Sequence, residues 1–177
     1  HLTNKNTTFM PNVKFMKNGG KLTIINHLDD GYPKAFPSLM NDKNVEELEF
    51  IDCDKLPKNN DNTQSYYVDY QQYFQSCSGL KRIKKLPAQL LSFRKGGVYS
   101  VFTWYSCPLE ELSFVNQFEK TYDIGGAIEP TDEIIENIVN ALAELTEAQN
   151  IAMPTYYKSK LTAEQKQIIA NKGWNLK

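Results

Sequence analysis

His1 and His27 are the chain's two histidines, so a Cys-His or Ser-His nucleophile must use one of them. His27 stands in HLDDGYPK beside Asp29 and Asp30, which reads as a polar turn following a strand. Carboxylate pairs are another route to chemistry, because a glycosidase needs two of them flanking the scissile bond. Asp29/Asp30 and Glu46/Glu47 could be imagined in that role. Adjacent residues of a strand point to opposite faces, so Glu46 and Glu47 are expected to diverge and to serve solubility instead. The Gly-Gly pairs beginning at Gly19, Gly96 and Gly125 have no phosphate-loop or dinucleotide context and read as turns. LKRIKKL, with Arg94 and Lys95 nearby, is a local basic patch. It is expected to be a solvated strand face, although sulfated glycans or teichoic acids could use it.

Aromatic residues make the better recognition candidates. SYYVDYQQYF places Tyr66, Tyr67, Tyr70 and Tyr73 in the longest insertion between repeats, and VYSVFTWYS adds Tyr99, Trp104 and Tyr105. Such rings offer flat contact area at low entropic cost and can stack on sugars or peptide side chains. The competing expectation is that half of them fill the convex side of the fold, as expected for Phe74 and Phe102.

These residues must be held by a scaffold, and the bulk numbers bound it. A chain of 177 residues, 41% hydrophobic and 23% charged, suits one domain with a real core. With 20 basic and 21 acidic residues the net charge is −1, which gives no electrostatic reason to expect nucleic acid as a partner. No apolar run approaches the roughly 18 residues of a membrane span, so no membrane insertion is expected. HLTNKNTTFM lacks a signal pattern, and the chain reads as a processed or excised piece. Cys53, Cys77 and Cys107 form an odd, widely spaced set, which argues against a disulfide framework and against a zinc site.

Three stretches superpose: FPSLMNDKNVEELEF from Phe36, YFQSCSGLKRIKKL from Tyr73 and VFTWYSCPLEELSF from Val101. Each carries two apolar residues three apart: Val45/Leu48, Leu80/Ile83 and Leu109/Leu112. Phe50 and Phe114 continue the first and third copies. Strands this short are not stable alone, but stacked on copies of themselves they bury a continuous column. KLTII, QNIAM and GWNL supply further rungs, giving the anchors Leu22, Leu48, Ile83, Leu112, Ile151 and Trp174 at intervals of 23 to 39 residues. Cys77 and Cys107 precede the first leucines of their copies and are expected in register as small buried side chains. A disulfide between them and a nucleophilic role are the lesser alternatives.

Two helices are expected. In TDEIIENIVNALAEL, Thr131 caps an apolar stripe of Ile134, Ile135, Ile138, Val139, Leu142 and Leu145. In the last stretch, Thr162 and Gln165 have capping-box spacing. Gly173 suits a left-handed position that folds Trp174 back onto Ile169, so that helix and Trp174 together close the open core.

YFQSCSGLKRI resembles the F-x-x-C-x-x-L-x-x-I core of BspA-type leucine-rich repeats. The stretch from Lys160 to Trp174 resembles the closing block of such repeats in bacterial surface proteins and in phage tail or receptor-binding proteins. The likeness runs from about Phe74 to the end and is weak before Val45. It implies an α/β solenoid: a short leucine-rich-repeat stack with a small parallel sheet, irregular loops and helices on the other side, and a C-terminal helix–strand cap. Residues 1–12 are then a linker or leading arm and 13–177 one repeat domain, with the cap at 155–177. The resemblance implies recognition without catalysis and without a cofactor. The expected setting is a virion tail or a cell surface, and the expected partner a host-surface glycan or protein, with other tail subunits or a second copy as further partners. Ligand contacts are expected at Tyr66, Tyr67, Tyr70, Tyr99, Trp104 and Tyr105, and on the exposed strand face around Glu49, Lys84 and Ser113. A bacterial adhesin with the same repeats and a glycan-acting hydrolase are the alternatives.

Overall fold

Leu22, Leu48, Ile83 and Leu112 stand side by side on four neighbouring strands. A computed structural model places them there; it describes residues 2–3, 16–25, 42–52, 77–86, 88, 107–115, 117–118, 122–123 and 130–177. The strands are β1 (Leu2–Thr3), β2 (Gly20–Ile25), β3 (Val45–Ile51), β4 (Arg82–Leu86) and β5 (Glu111–Phe114). They pair in parallel, in chain order, as one sheet. The anchor residues point inward and are buried.

Apolar residues three apart cannot share a face of a regular strand, whose period is two. The sheet resolves this with extra residues. Gly20 pairs with Val45 but Lys21 with Glu47, so β3 holds one residue more than β2 there. Ile83 pairs with Leu112 and Leu86 with Phe114, so β4 holds one more than β5. Each bulge resets the alternation, letting Val45 and Leu48, and likewise Ile83 and Leu86, all face the core. Lys85, inside the second bulge, has a left-handed φ of 55°.

The turns before the strands also stack. Cys77 and Cys107 are buried, as expected, and are not disulfide-bonded. In the first copy Asp42 stands three residues before Val45, where the second copy has Cys77 before Leu80. It is buried, and its carboxylate accepts the backbone N–H groups of Asn44 and Val45 at 2.7 and 2.9 Å. Gly79 sits so close to the preceding turn that a Cβ would lie 2.3 Å from the Lys43 carbonyl oxygen.

A second parallel sheet is built from β6 (Tyr122–Asp123), β7 (Gln149–Ala152) and β8 (Trp174–Leu176), and Phe118 forms a separate bridge with Leu142. One expected rung pairing is corrected: Ile151 lies opposite Leu176, while Trp174 lies opposite Gln149.

Helix α1 (Asp132–Asn140) is capped by Thr131, whose hydroxyl accepts from the Ile134 N–H. It is shorter than its apolar stripe. Leu142 and Leu145 fall beyond its end, because Ala143 N–H and Ala141 C=O bond to the Phe118 backbone instead of continuing the helix. The Lys172 ammonium reaches the carbonyls of Val139, Asn140 and Leu142, a cation at the negative end of the helix. On the other side α1 packs against β5, the last strand of its sheet. The Asn137 side-chain amide donates to the Leu112 carbonyl at 3.0 Å and the Thr131 hydroxyl to that of Glu110 at 3.4 Å.

A short helix not expected from the sequence, α2 (Thr155–Lys160), follows Pro154, and Lys160 donates to the Pro130 carbonyl. Helix α3 (Ala163–Asn171) has the expected capping box in both directions. Gly173 has a φ of +86°. Trp174 is buried in the same cluster as Ile169, and its indole N–H donates to the Ala143 carbonyl at 2.9 Å. Among the described residues no helix is long and apolar enough to cross a membrane.

Candidate functional site

Opposite its apolar side the β2–β5 sheet carries charge. The residue before each anchor alternates in sign from strand to strand: Lys21, Glu47, Arg82 and Glu111. Parallel register sets Lys21 beside Glu47 beside Arg82 beside Glu111, which is the favourable cross-strand arrangement.

Glu47 is the hub. Its carboxylate takes Lys21 Nζ at 2.8 Å, Arg82 Nε at 2.9 Å and Lys84 Nζ at 3.2 Å, with its side chain only 12% exposed. Lys21 and Arg82 hold its carboxyl down to about 2, against an ordinary 4.5. Glu49 pairs with Lys21 at 2.7 Å and with Lys85 at 3.7 Å, and Lys21 holds it below the usual carboxylate range. Glu47 in turn raises both Lys21 and Arg82. Arg82 also reaches Glu46 at 3.2 Å. This corrects the expectation that Glu46 and Glu47 diverge: the bulge lies at this pair, and one guanidinium spans both carboxylates.

The three residues expected on the strand face are thus brought together, with partners of their own. Glu49 lies between Lys21 and Lys85, and Lys84 between Glu47 and Glu111. The Ser113 hydroxyl accepts the Lys85 N–H at 3.1 Å, a donor that the bulge displaces from the regular ladder. The basic patch LKRIKKL is neutralised in the same way: Lys81, Arg82, Lys84 and Lys85 each face glutamates of neighbouring strands or turns. Tyr66, Tyr67, Tyr70, Tyr99, Trp104 and Tyr105 lie outside the described residues, as do His1, His27, Asp29, Asp30 and Cys53.

Sequence reasoning picked the residues after the anchors and missed the hub before them. The signal was available, because the residues preceding Leu22, Leu48, Ile83 and Leu112 alternate in charge.

Chemically this face is an array of fixed, mutually satisfied charges. A general acid needs a carboxyl whose pKa is raised toward neutrality, and Glu47 is driven the other way. Among the described residues no group of three or more His, Cys, Asp or Glu side chains is placed to hold a metal ion. Comparisons with protein-family models, curated proteins and solved structures find no match to this chain.

Proposed function

We propose that the chain is a non-enzymatic recognition module built as a short leucine-rich-repeat stack, and that it contacts a host cell surface as part of a phage tail or receptor-binding protein. The observation that carries this reading is the in-register row Leu22, Leu48, Ile83 and Leu112. A sheet that buries one side in a column and displays a patterned polar side is suited to binding along its strands. Among the described residues its ion pairs hold ten charged side chains, Lys21, Lys81, Arg82, Lys84 and Lys85 against Glu46, Glu47, Glu49, Glu110 and Glu111. The signs balance, so the face offers hydrogen-bonding pattern and shape, with no bulk charge to draw in polyanions. The aromatic residues Tyr66, Tyr67, Tyr70, Tyr99, Trp104 and Tyr105 are the proposed stacking contacts for a surface glycan or protein.

The test is adsorption of fluorescently labelled protein to intact bacterial cells, with cell-wall and capsular glycans as soluble competitors. Saturable adsorption that varies little with salt is expected. A failure to adsorb to any of a broad panel of cells would sink the reading. Release of new reducing ends from the glycans would replace it with a hydrolase.

A further inference from the structure

Cys77 and Cys107 occupy equivalent places in successive repeats. The Cys77 carbonyl accepts the Leu80 N–H at 3.0 Å and the Cys107 carbonyl that of Leu109 at 2.9 Å, so each cysteine closes the turn that launches its strand. The turns are stacked, since the Lys81 carbonyl accepts the N–H groups of both Glu110 and Glu111. Both side chains are fully buried. The Cys77 side chain beside it, followed by burial, pushes the Cys107 thiol up. Neighbouring parallel rungs lie about 4.8 Å apart, inside the Cα separation of roughly 4.4–6.8 Å that a disulfide spans.

We propose that Cys77 and Cys107 are a modification site, closing a disulfide that staples β4 to β5 when the protein meets a small disulfide or peroxide oxidant. Two S–H bonds break and one S–S bond forms. The two electrons and two protons pass to the oxidant, yielding two thiols from a disulfide such as oxidised glutathione, or two waters from hydrogen peroxide. The thiolate is the attacking species, and at Cys107 the neighbouring Cys77 side chain and burial disfavour it. Closure therefore waits on transient opening of the turns and is slow in native buffer. Once formed, the bond closes a loop of about 30 residues and constrains the unfolded chain. This inference does not rest on the recognition reading.

The test uses the full chain with Cys53→Ser, which leaves only this pair, incubated with oxidised glutathione at rising urea up to the middle of the unfolding transition and then returned to buffer. Loss of two hydrogens by intact mass is expected, with a Cys77–Cys107 cross-linked peptide. The yield should climb with urea, and the thermal midpoint should rise by about 5–10 °C, reversed by dithiothreitol. Should Cys53→Ser not fold, the same peptide map on the wild-type chain decides the question. Lasting glutathione adducts on either cysteine, a link to Cys53, a lowered midpoint in the cross-linked form, or no link at any urea concentration would each overturn the proposal.

Discussion

The β2–β5 sheet and the block from residue 130 to 177 are held together by different means. In the block, several determinants are local. Thr131, Thr162 with Gln165, and Gly173 act within a few residues of where they stand. In the sheet the charged contacts are distant: Glu47 meets partners 26, 35 and 37 residues away, at Lys21, Arg82 and Lys84. Local signals fix where an element begins and ends. Only the register of stacked strands can assemble a charge array from such remote positions. The charge array therefore belongs to the sheet, and the side-chain helix caps to the block.

Substitutions can break or sharpen that contrast. Trp174→Ala removes a buried indole and leaves the Ala143 carbonyl without its donor. It should cost about 3–5 kcal/mol, read as a fall in the urea midpoint, and near-unchanged stability would remove the block's claim to be a lid. Gly79→Ala forces a Cβ against the Lys43 and Val45 carbonyls. An overpacking loss of about 1–3 kcal/mol is expected, and a neutral result in thermal melts would mean that the turns do not stack this closely.

Glu47→Gln keeps the shape but removes the charge at the hub. Its three cationic partners are partly exposed, so the loss should be modest, about 1–2 kcal/mol near neutral pH. The same variant carries the pH test. Glu47 is held down to about 2 in the folded protein, against an ordinary 4.5. Its contribution is therefore complete above pH 4.5, erodes as pH falls from 4.5 to about 2, and is gone below that. Denaturant midpoints measured across that interval should fall more steeply for the wild-type chain than for Glu47→Gln, whereas parallel curves would deny Glu47 its role. The smallest effect belongs to the block: Thr162→Ala should cost about 1 kcal/mol through loss of the capping box. Because Thr162 and Gln165 are both uncharged, the loss should be the same at pH 3 and pH 7 by circular dichroism melts.

What could be foreseen from the sequence follows the same division. The α3 cap and the left-handed Gly173 were legible because their chemistry is complete within a dozen residues. Leu48, Ile83 and Leu112 were legible because apolar spacing repeats wherever a strand must bury one side. The end of α1 was not: Leu142 and Leu145 keep helical period, and only the backbone bonds to Phe118 pull the chain out of the helix. TYYKSK, a six-residue helix, is too short to show a period. The alternation rule applied to Glu46 and Glu47 concealed the bulge at that pair, and the bulge between Ile83 and Leu86 lies outside the apolar pairs of the copies. Of the candidate site, Glu49, Lys84 and Ser113 were placed on the correct side of the sheet, but their partners depend on register.

The pairing of α1 with β5 has a further consequence. An outermost strand ordinarily offers a row of open carbonyls and amides on which another molecule's strand can be laid. Here Asn137 and Thr131 already occupy the Leu112 and Glu110 carbonyls. A foreign strand would have to displace the helix before it could be recruited, so chain-to-chain polymerisation along that direction is blocked by two side chains.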